Sequence, residues 1–162
     1  MVLRLIPATP KAGVILGGNG ESDNPEHTVI LSKPFYMGET PITNQLWALT
    51  AKDARFASAN LPINPSSQYG ERFTPENHPV VGINWYQAAK FLFLHSLDNP
   101  SVSQSRKNQI WRSNSGFQIA DEKLGLILRE WILKRVPMDR LPTEAEWEHA
   151  ARAGTRFGLF DM

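Results

Sequence analysis

The sequence predicts an α+β domain, on three observations. Its first forty residues are short apolar runs separated by glycine and proline, which is how small strands and tight turns are punctuated. Several later stretches carry apolar residues at helical spacing, each behind a side chain able to cap a helix. Strands and helices do not alternate as a βαβ repeat requires, so the sheets should be small and the helices separate from them.

Taken in order, residues 2–6, 13–16, 28–31 and 35–37 read as strands. Gly17, Gly18 and Gly20 around Asn19 read as a turn, because no Lys-Ser/Thr pair and no helix follow as a phosphate loop needs. Thr43 can cap a first helix over Asn44–Ala51, with Leu46, Trp47 and Leu49 on its apolar side. Residues 53–79, rich in Asn, Pro and Ser, read as a long loop, and 80–83 as a short strand. Asn84 and Gln87 form a capping-box variant that opens a second helix running to Leu97. Its apolar residues Trp85, Ala88, Phe91, Leu92 and Leu94 go nearly all the way round, which predicts burial of most of it. Residues 99–117 are polar and irregular, with a turn at Asn114, Ser115 and Gly116. A further helix over residues 122–135 would present Leu124, Ile127, Leu128, Trp131 and Ile132 on one stripe and stop before Pro137. The last helix is the clearest. Thr143 and Glu146 make a capping box at its start, and Gly154 stands where a left-handed C-terminal cap belongs.

Composition sets limits on function. The chain has 162 residues, enough for one domain with a core. Its 17 basic and 16 acidic side chains leave a net charge of +1. Nucleic-acid affinity rests on clustered Lys and Arg. Arg106, Lys107 and Arg112 form the densest basic stretch and read as a solvated loop, so no nucleic-acid partner is expected. The longest apolar run, residues 91–94, is far short of the roughly 20 that span a bilayer, so no membrane partner is expected either. Residues 1–10 lack the apolar stretch of a signal peptide. Cysteine is absent altogether. That removes disulfides, thiolate metal sites and thiol nucleophiles together, and it fits a reducing, cytoplasmic compartment.

Residues 140–154 read Arg-Leu-Pro-Thr-Glu-Ala-Glu-Trp-Glu-His-Ala-Ala-Arg-Ala-Gly, and this run resembles the most recognisable motif of the formylglycine-generating enzyme (sulfatase-modifying factor) family. Weaker matches precede it in the right order. Residues 24–29 (Asn-Pro-Glu-His-Thr-Val) resemble the family's early strand, and 35–44 (Phe-Tyr-Met-Gly-Glu-Thr-Pro-Ile-Thr-Asn) the segment leading to its first helix. Residues 78–85 (His-Pro-Val-Val-Gly-Ile-Asn-Trp), with Ala88 a turn later, resemble the lead into its second helix. The resemblance implies a C-type-lectin-like fold with little regular structure, two helices packed on small twisted sheets, and one domain over residues 1–162. Residues 98–138 would be an insertion with an extra helix.

The same resemblance implies an oxidase that converts a sulfatase cysteine to formylglycine with copper held by two cysteines, and calcium-binding loops beyond the 140–154 motif. This sequence has no cysteine and little chain after that motif. Residues 157–162 resemble a later family segment, which suggests a domain shortened at its C-terminal end. The expectation is therefore a non-catalytic, partial member without copper or calcium sites. Two alternatives stand beside it: a lectin-fold module that binds a ligand or protein, and the N-terminal half of a split enzyme. A shortened domain would leave apolar surface for self-association or a protein partner.

No residue is assigned a catalytic, cofactor-binding or metal-ligating role. Glu144, Glu146 and Glu148 invite a general-base reading, but acids in the first turn of a helix are favoured by capping and the helix dipole alone. Arg140 and Arg152 are expected to bind those carboxylates. His78, fixed in extended backbone by the following Pro79, is read as a hydrogen-bonded structural residue. His27 and His149 are far apart in sequence. Trp47, Trp85, Trp131 and Trp147 lie on helix faces and are read as core, with Trp111 the exposed one.

Overall fold

The computed structural model describes residues 2–18, 25–98, 100, 102–105, 107–108, 126, 129–130 and 139–153. The helix expected at residues 122–135, the turn at 114–116, Trp111, Trp131, Gly154 and the segment 157–162 lie essentially outside them. Among the described residues the architecture is α+β, with short antiparallel strand pairs and few helices. The chain divides into two compact units: residues 1–39 with 142–162, and residues 40–141.

In the first unit, β1 (Leu3–Ile6) pairs antiparallel with β4 (Phe35–Gly38), and β2 (Val14–Leu16) with β3 (His27–Val29). The expected strand at 28–31 thus begins one residue earlier and ends at Val29. Beyond it the chain is held differently, with the Thr9 N–H donating to the Leu31 carbonyl and the Leu31 N–H to Thr9 Oγ1. Directly opposed residues share a sheet face, so Leu3 and Leu5 lie on one side with Gly38 and Tyr36, and Arg4 and Ile6 on the other with Met37 and Phe35.

The helix α3 (Glu144–Arg152), third in chain order, completes this unit. Its capping box is formed in both directions: Thr143 Oγ1 accepts from the Glu146 N–H at 3.2 Å, and Glu146 Oε2 accepts from the Thr143 N–H at 2.8 Å. The left-handed cap falls on Ala153 (φ 46°, ψ 37°), one residue before the expected glycine. Thr143→Ala should lower stability by roughly 1 kcal/mol, the usual worth of an N-cap. Thr143→Ser should leave the urea midpoint nearly unchanged, because the acceptor oxygen is retained.

Helix α3 grips the end of β2. Gly17 sits at φ 78°, a conformation that favours glycine. Its N–H donates to Glu148 Oε1 at 2.8 Å, and its carbonyl accepts from Arg152 Nη2 at 2.6 Å. Arg152 Nε donates to the same Glu148 oxygen at 2.8 Å, and the Arg152 side chain is only 14 % exposed. One i, i+4 pair therefore satisfies both polar groups of a buried glycine.

In the second unit, helix α1 (Asn44–Ala51) starts behind Thr43, whose Oγ1 accepts from the Leu46 N–H at 3.3 Å. Helix α2 (Trp85–Ser96) starts behind Asn84, whose capping box with Gln87 is closed by two 2.9 Å bonds. The stretch expected as a loop holds three short 3-10 helices, Ala54–Ala59, Pro65–Tyr69 and Glu71–Phe73. Residues 80–83 do not form the expected strand. The Val80 N–H donates to the Ile42 carbonyl and the Val81 N–H to Ser66 Oγ, leaving one isolated bridge, Thr43 to Pro79. Gly82, at φ 75°, cannot be replaced freely: a Cβ there would lie 2.8 Å from the Pro65 carbonyl oxygen.

The core of this unit centres on Trp47, Phe56, Leu61, Phe91, Phe93 and Leu94. Trp47 is 1 % exposed and stacks on Phe91, with ring centroids 4.9 Å apart and planes 11° from parallel. Its indole N–H donates to the Pro62 carbonyl at 2.7 Å. The core expectation holds for Trp47 and fails for two other tryptophans, Trp85 being 58 % and Trp147 59 % exposed. Trp85 lies in the first turn of α2 edge-on to Tyr86, so burial of that helix begins only at Ala89. No described helix is long and apolar enough to cross a membrane.

Candidate functional site

The charged and imidazole side chains singled out from sequence do not converge, and most of them have structural partners. Glu146 serves the capping box, and Glu148 is held by Arg152 and Gly17. Arg140 Nη1 donates to the Leu141 carbonyl. His27 Nδ1 lies 2.9 Å from the Pro25 carbonyl oxygen, and His149 Nε2 lies 3.1 Å from that of Pro7. Among the described residues no group of His, Asp and Glu is placed to hold a metal ion.

One pair went unread in the sequence. His95, in the last turn of α2, places Nδ1 2.6 Å from Asp139 Oδ2, and the Asp139 N–H donates to Ser96 Oγ at 2.6 Å. Ser96 is fully buried and its hydroxyl donates to the Leu92 carbonyl, so residue 139 is fastened to the helix end at two points. A separation of 44 residues leaves no spacing signal by which this pair could be found.

The Asp139 carboxylate raises the His95 pKa above its usual value, against the opposing effect of burial. A folded-state pKa above the unfolded one means that the native state binds the extra proton. The stabilisation is then full below the unfolded value of about 6.5 and is lost as pH rises through the folded value. His95→Gln should remove that part of the slope, read as the difference between the two proteins' urea midpoints from pH 5 to pH 8.

A groove of about 550 Å³ lies in the second unit, lined by Arg72, Phe73, His78, Pro79 and Val81. Its wall is tied to the first turn of α1. Asn44 Nδ2 donates to the Phe73 and Pro75 carbonyls at 2.7 and 2.9 Å, and the backbone N–H groups of Asn44 and Gln45 donate to the His78 and Glu76 carbonyls. Asn44 Oδ1 accepts from the Ser66 hydroxyl at 2.6 Å, and Ser66 Oγ accepts from the Val81 N–H. His78, read as a structural residue, lies 3.1 Å through Nδ1 from the Arg72 carbonyl oxygen. A carbonyl can only accept, so that nitrogen carries the proton. The Arg72 guanidinium lies over the Phe73 ring, 4.6 Å from its centroid. Sequence reasoning singled out His78 here but missed Arg72.

A smaller hollow of about 280 Å³ belongs to the first unit, between the β1–β4 face carrying Ile6 and Met37 and the α3 residues Trp147, Ala150 and Ala151. The ion pair of Arg4 with Glu39 closes one side at 2.6 Å. Among the described residues lining them, neither concavity presents a nucleophile with an adjacent base.

Comparison with curated proteins and comparison with solved structures each give no match. A family model, described as the sulfatase-modifying factor enzyme 1-like domain, matches residues 8–162. Almost the whole chain is covered, including the Gly17 clasp, the α1 and α2 caps and the 140–154 motif, and the chain belongs to the sulfatase-modifying factor enzyme 1-like (formylglycine-generating enzyme) family.

Proposed function

We propose that this chain acts as a non-catalytic member of its family, a C-type-lectin-like scaffold that presents binding surfaces in place of an oxidising centre. The observation that carries the reading is the cysteine count: none in 162 residues, across a domain matched over residues 8–162. Copper chemistry of the family's kind needs thiolate donors, soft ligands that imidazole and carboxylate do not replace. The donor set of this chain therefore does not fit that copper site, and no step is routed through it. A cytoplasmic location accords with a chain that has no thiols to oxidise.

The test is direct. The purified chain, incubated with copper(I), oxygen and a sulfatase-type cysteine peptide, should leave the peptide thiol intact in the mass spectrum. Stoichiometric copper binding together with aldehyde formation would overturn the reading. Aldehyde formation only after addition of a separately encoded cysteine-bearing segment would favour a split enzyme instead. The binding-module reading is favoured by the braced groove beside α1 and by the exposed aromatic rings of Trp85 and Tyr86.

A further inference from the structure

Arg72 has the chemistry of an anion receptor without an anion. No carboxylate among the described residues pairs with it, although Glu71 and Glu76 lie close in sequence. Its guanidinium is oriented by the Phe73 ring beneath it, at 4.6 Å from the centroid, so less side-chain freedom remains to be lost on binding. Apart from Arg72 and His78 the groove is apolar, with Phe73, Pro79 and Val81 as its walls. At about 550 Å³ it is in the range of small-molecule sites.

The walls are held from behind. The Phe73, Pro75, Glu76 and His78 carbonyls all accept hydrogen bonds from Asn44 or Gln45. The backbone N–H groups of Val80 and Val81 donate to Ile42 and Ser66. A loop fixed at so many points is preorganised, and preorganisation lowers the entropic cost of binding. His78 uses Nδ1 on the Arg72 carbonyl, which leaves Nε2 as the second polar atom of the groove.

From these features we propose that the groove binds a small carboxylate with an apolar body, the carboxylate on Arg72 and the body against Phe73, Pro79 and Val81. Charge complementarity selects the anion, and the apolar walls reject a bare one. The site does not depend on whether the family's oxidation chemistry is present.

The probe is N-acetylphenylalanine, titrated into the full chain while the His78 imidazole resonances, assigned with His78→Gln, are followed by NMR. Its primary amide and acetate serve as comparators. The acid should shift His78 with a Kd in the millimolar range or tighter. The amide should bind about tenfold more weakly, since a hydrogen bond to a charged group is commonly worth that factor or more. Arg72→Gln should bring the acid down to the affinity of the amide while the urea midpoint stays put, as expected for an exposed side chain. Acetate should fail to compete. No shift by millimolar acid, equal affinity of acid and amide, or unchanged affinity in Arg72→Gln would each overturn the proposal. Competition by acetate at equal concentration would also overturn it, by showing a bare anion site with no role for the apolar walls. If Arg72→Gln loses its cooperative unfolding, Arg72→Lys supplies the comparison, retaining charge without the planar fork.

Discussion

Trp47→Ala should cost about 3–5 kcal/mol, the range for emptying a buried aromatic site. Three losses combine. The stacking partner of Phe91 disappears, a cavity opens in the middle of the second unit's core, and the Pro62 carbonyl loses the indole N–H that donates to it at 2.7 Å. Against a typical domain stability of about 5–15 kcal/mol, that is a large share of the total. Trp47→Phe separates the contributions. It keeps most of the packing and gives up the hydrogen bond and part of the ring, so it should cost about 1–2 kcal/mol. Urea midpoints with an unchanged m value are the measurement. Equal costs for the two variants would show that the hydrogen bond, not the packing, is what Trp47 contributes.

The second large effect is expected from a change of almost no volume. Asn44→Asp keeps the shape of the side chain and removes both N–H groups that donate to Phe73 and Pro75. The introduced carboxylate then faces two carbonyl oxygens in a largely buried position. Its place in the first turn of α1 brings about 0.3–1 kcal/mol from the helix dipole. The Ser66 hydroxyl can still donate to it, but leaving a buried charge without a cation costs more, about 3–5 kcal/mol, so destabilisation wins. Asn44→Ala strands the same carbonyls and the Ser66 hydroxyl but adds no charge, and should cost about 2–3 kcal/mol.

The two variants differ further in pH dependence. Burial without a cation raises the folded-state pKa of the introduced acid above the usual carboxylate value of about 3.9. Stability of Asn44→Asp should then be greatest below that value, where a protonated acid can still donate to one carbonyl. It should fall as pH rises toward the raised folded value. A flat difference between Asn44→Asp and Asn44→Ala from pH 3 to pH 7 would show that residue 44 is solvated in solution.

The parts of this fold that could be read from sequence are those decided within a few residues. Thr43, Asn84 with Gln87, and Thr143 with Glu146 cap their helices because cap chemistry is local: a side-chain oxygen and a backbone N–H two or three residues on. The 3-10 helices within residues 53–79 were missed because nothing periodic marks them. Their placement comes from long-range bonds, such as Ser66 to Asn44 and Val81 to Ser66, which have no signature in spacing. Residues 80–83 looked like a strand because Val80, Val81 and Ile83 are β-branched and apolar, yet the N–H groups of Val80 and Val81 found partners in Ile42 and Ser66. Trp85 and Trp147 were misplaced because a tryptophan on a helix suggests a core, whereas each is more than half exposed, Trp85 in the first turn of α2 and Trp147 at the edge of a shallow hollow. Of the candidate groove, His78 was visible as an X-Pro residue with a polar side chain. Arg72 was not, because only the fold shows that neither nearby glutamate takes it.

The clasp of Glu148 and Arg152 on Gly17 joins positions 131 and 135 residues apart. A ribosome releases residues 40–141 as one continuous stretch before α3 exists, so the second unit can finish folding while β2 still lacks the side chains that hold its end. The first unit then matures after the second, and its β1–β4 and β2–β3 ribbons wait as isolated strand pairs, which are marginal alone in water. Closing so long a loop costs little more than closing one of half the length, about 0.6 kcal/mol, because the entropy grows only with the logarithm of the separation. What the arrangement exposes to selection is thus the waiting time on the ribosome, during which Ile6 and Met37, on the face that α3 later adjoins, stand open to chaperones and to neighbouring nascent chains.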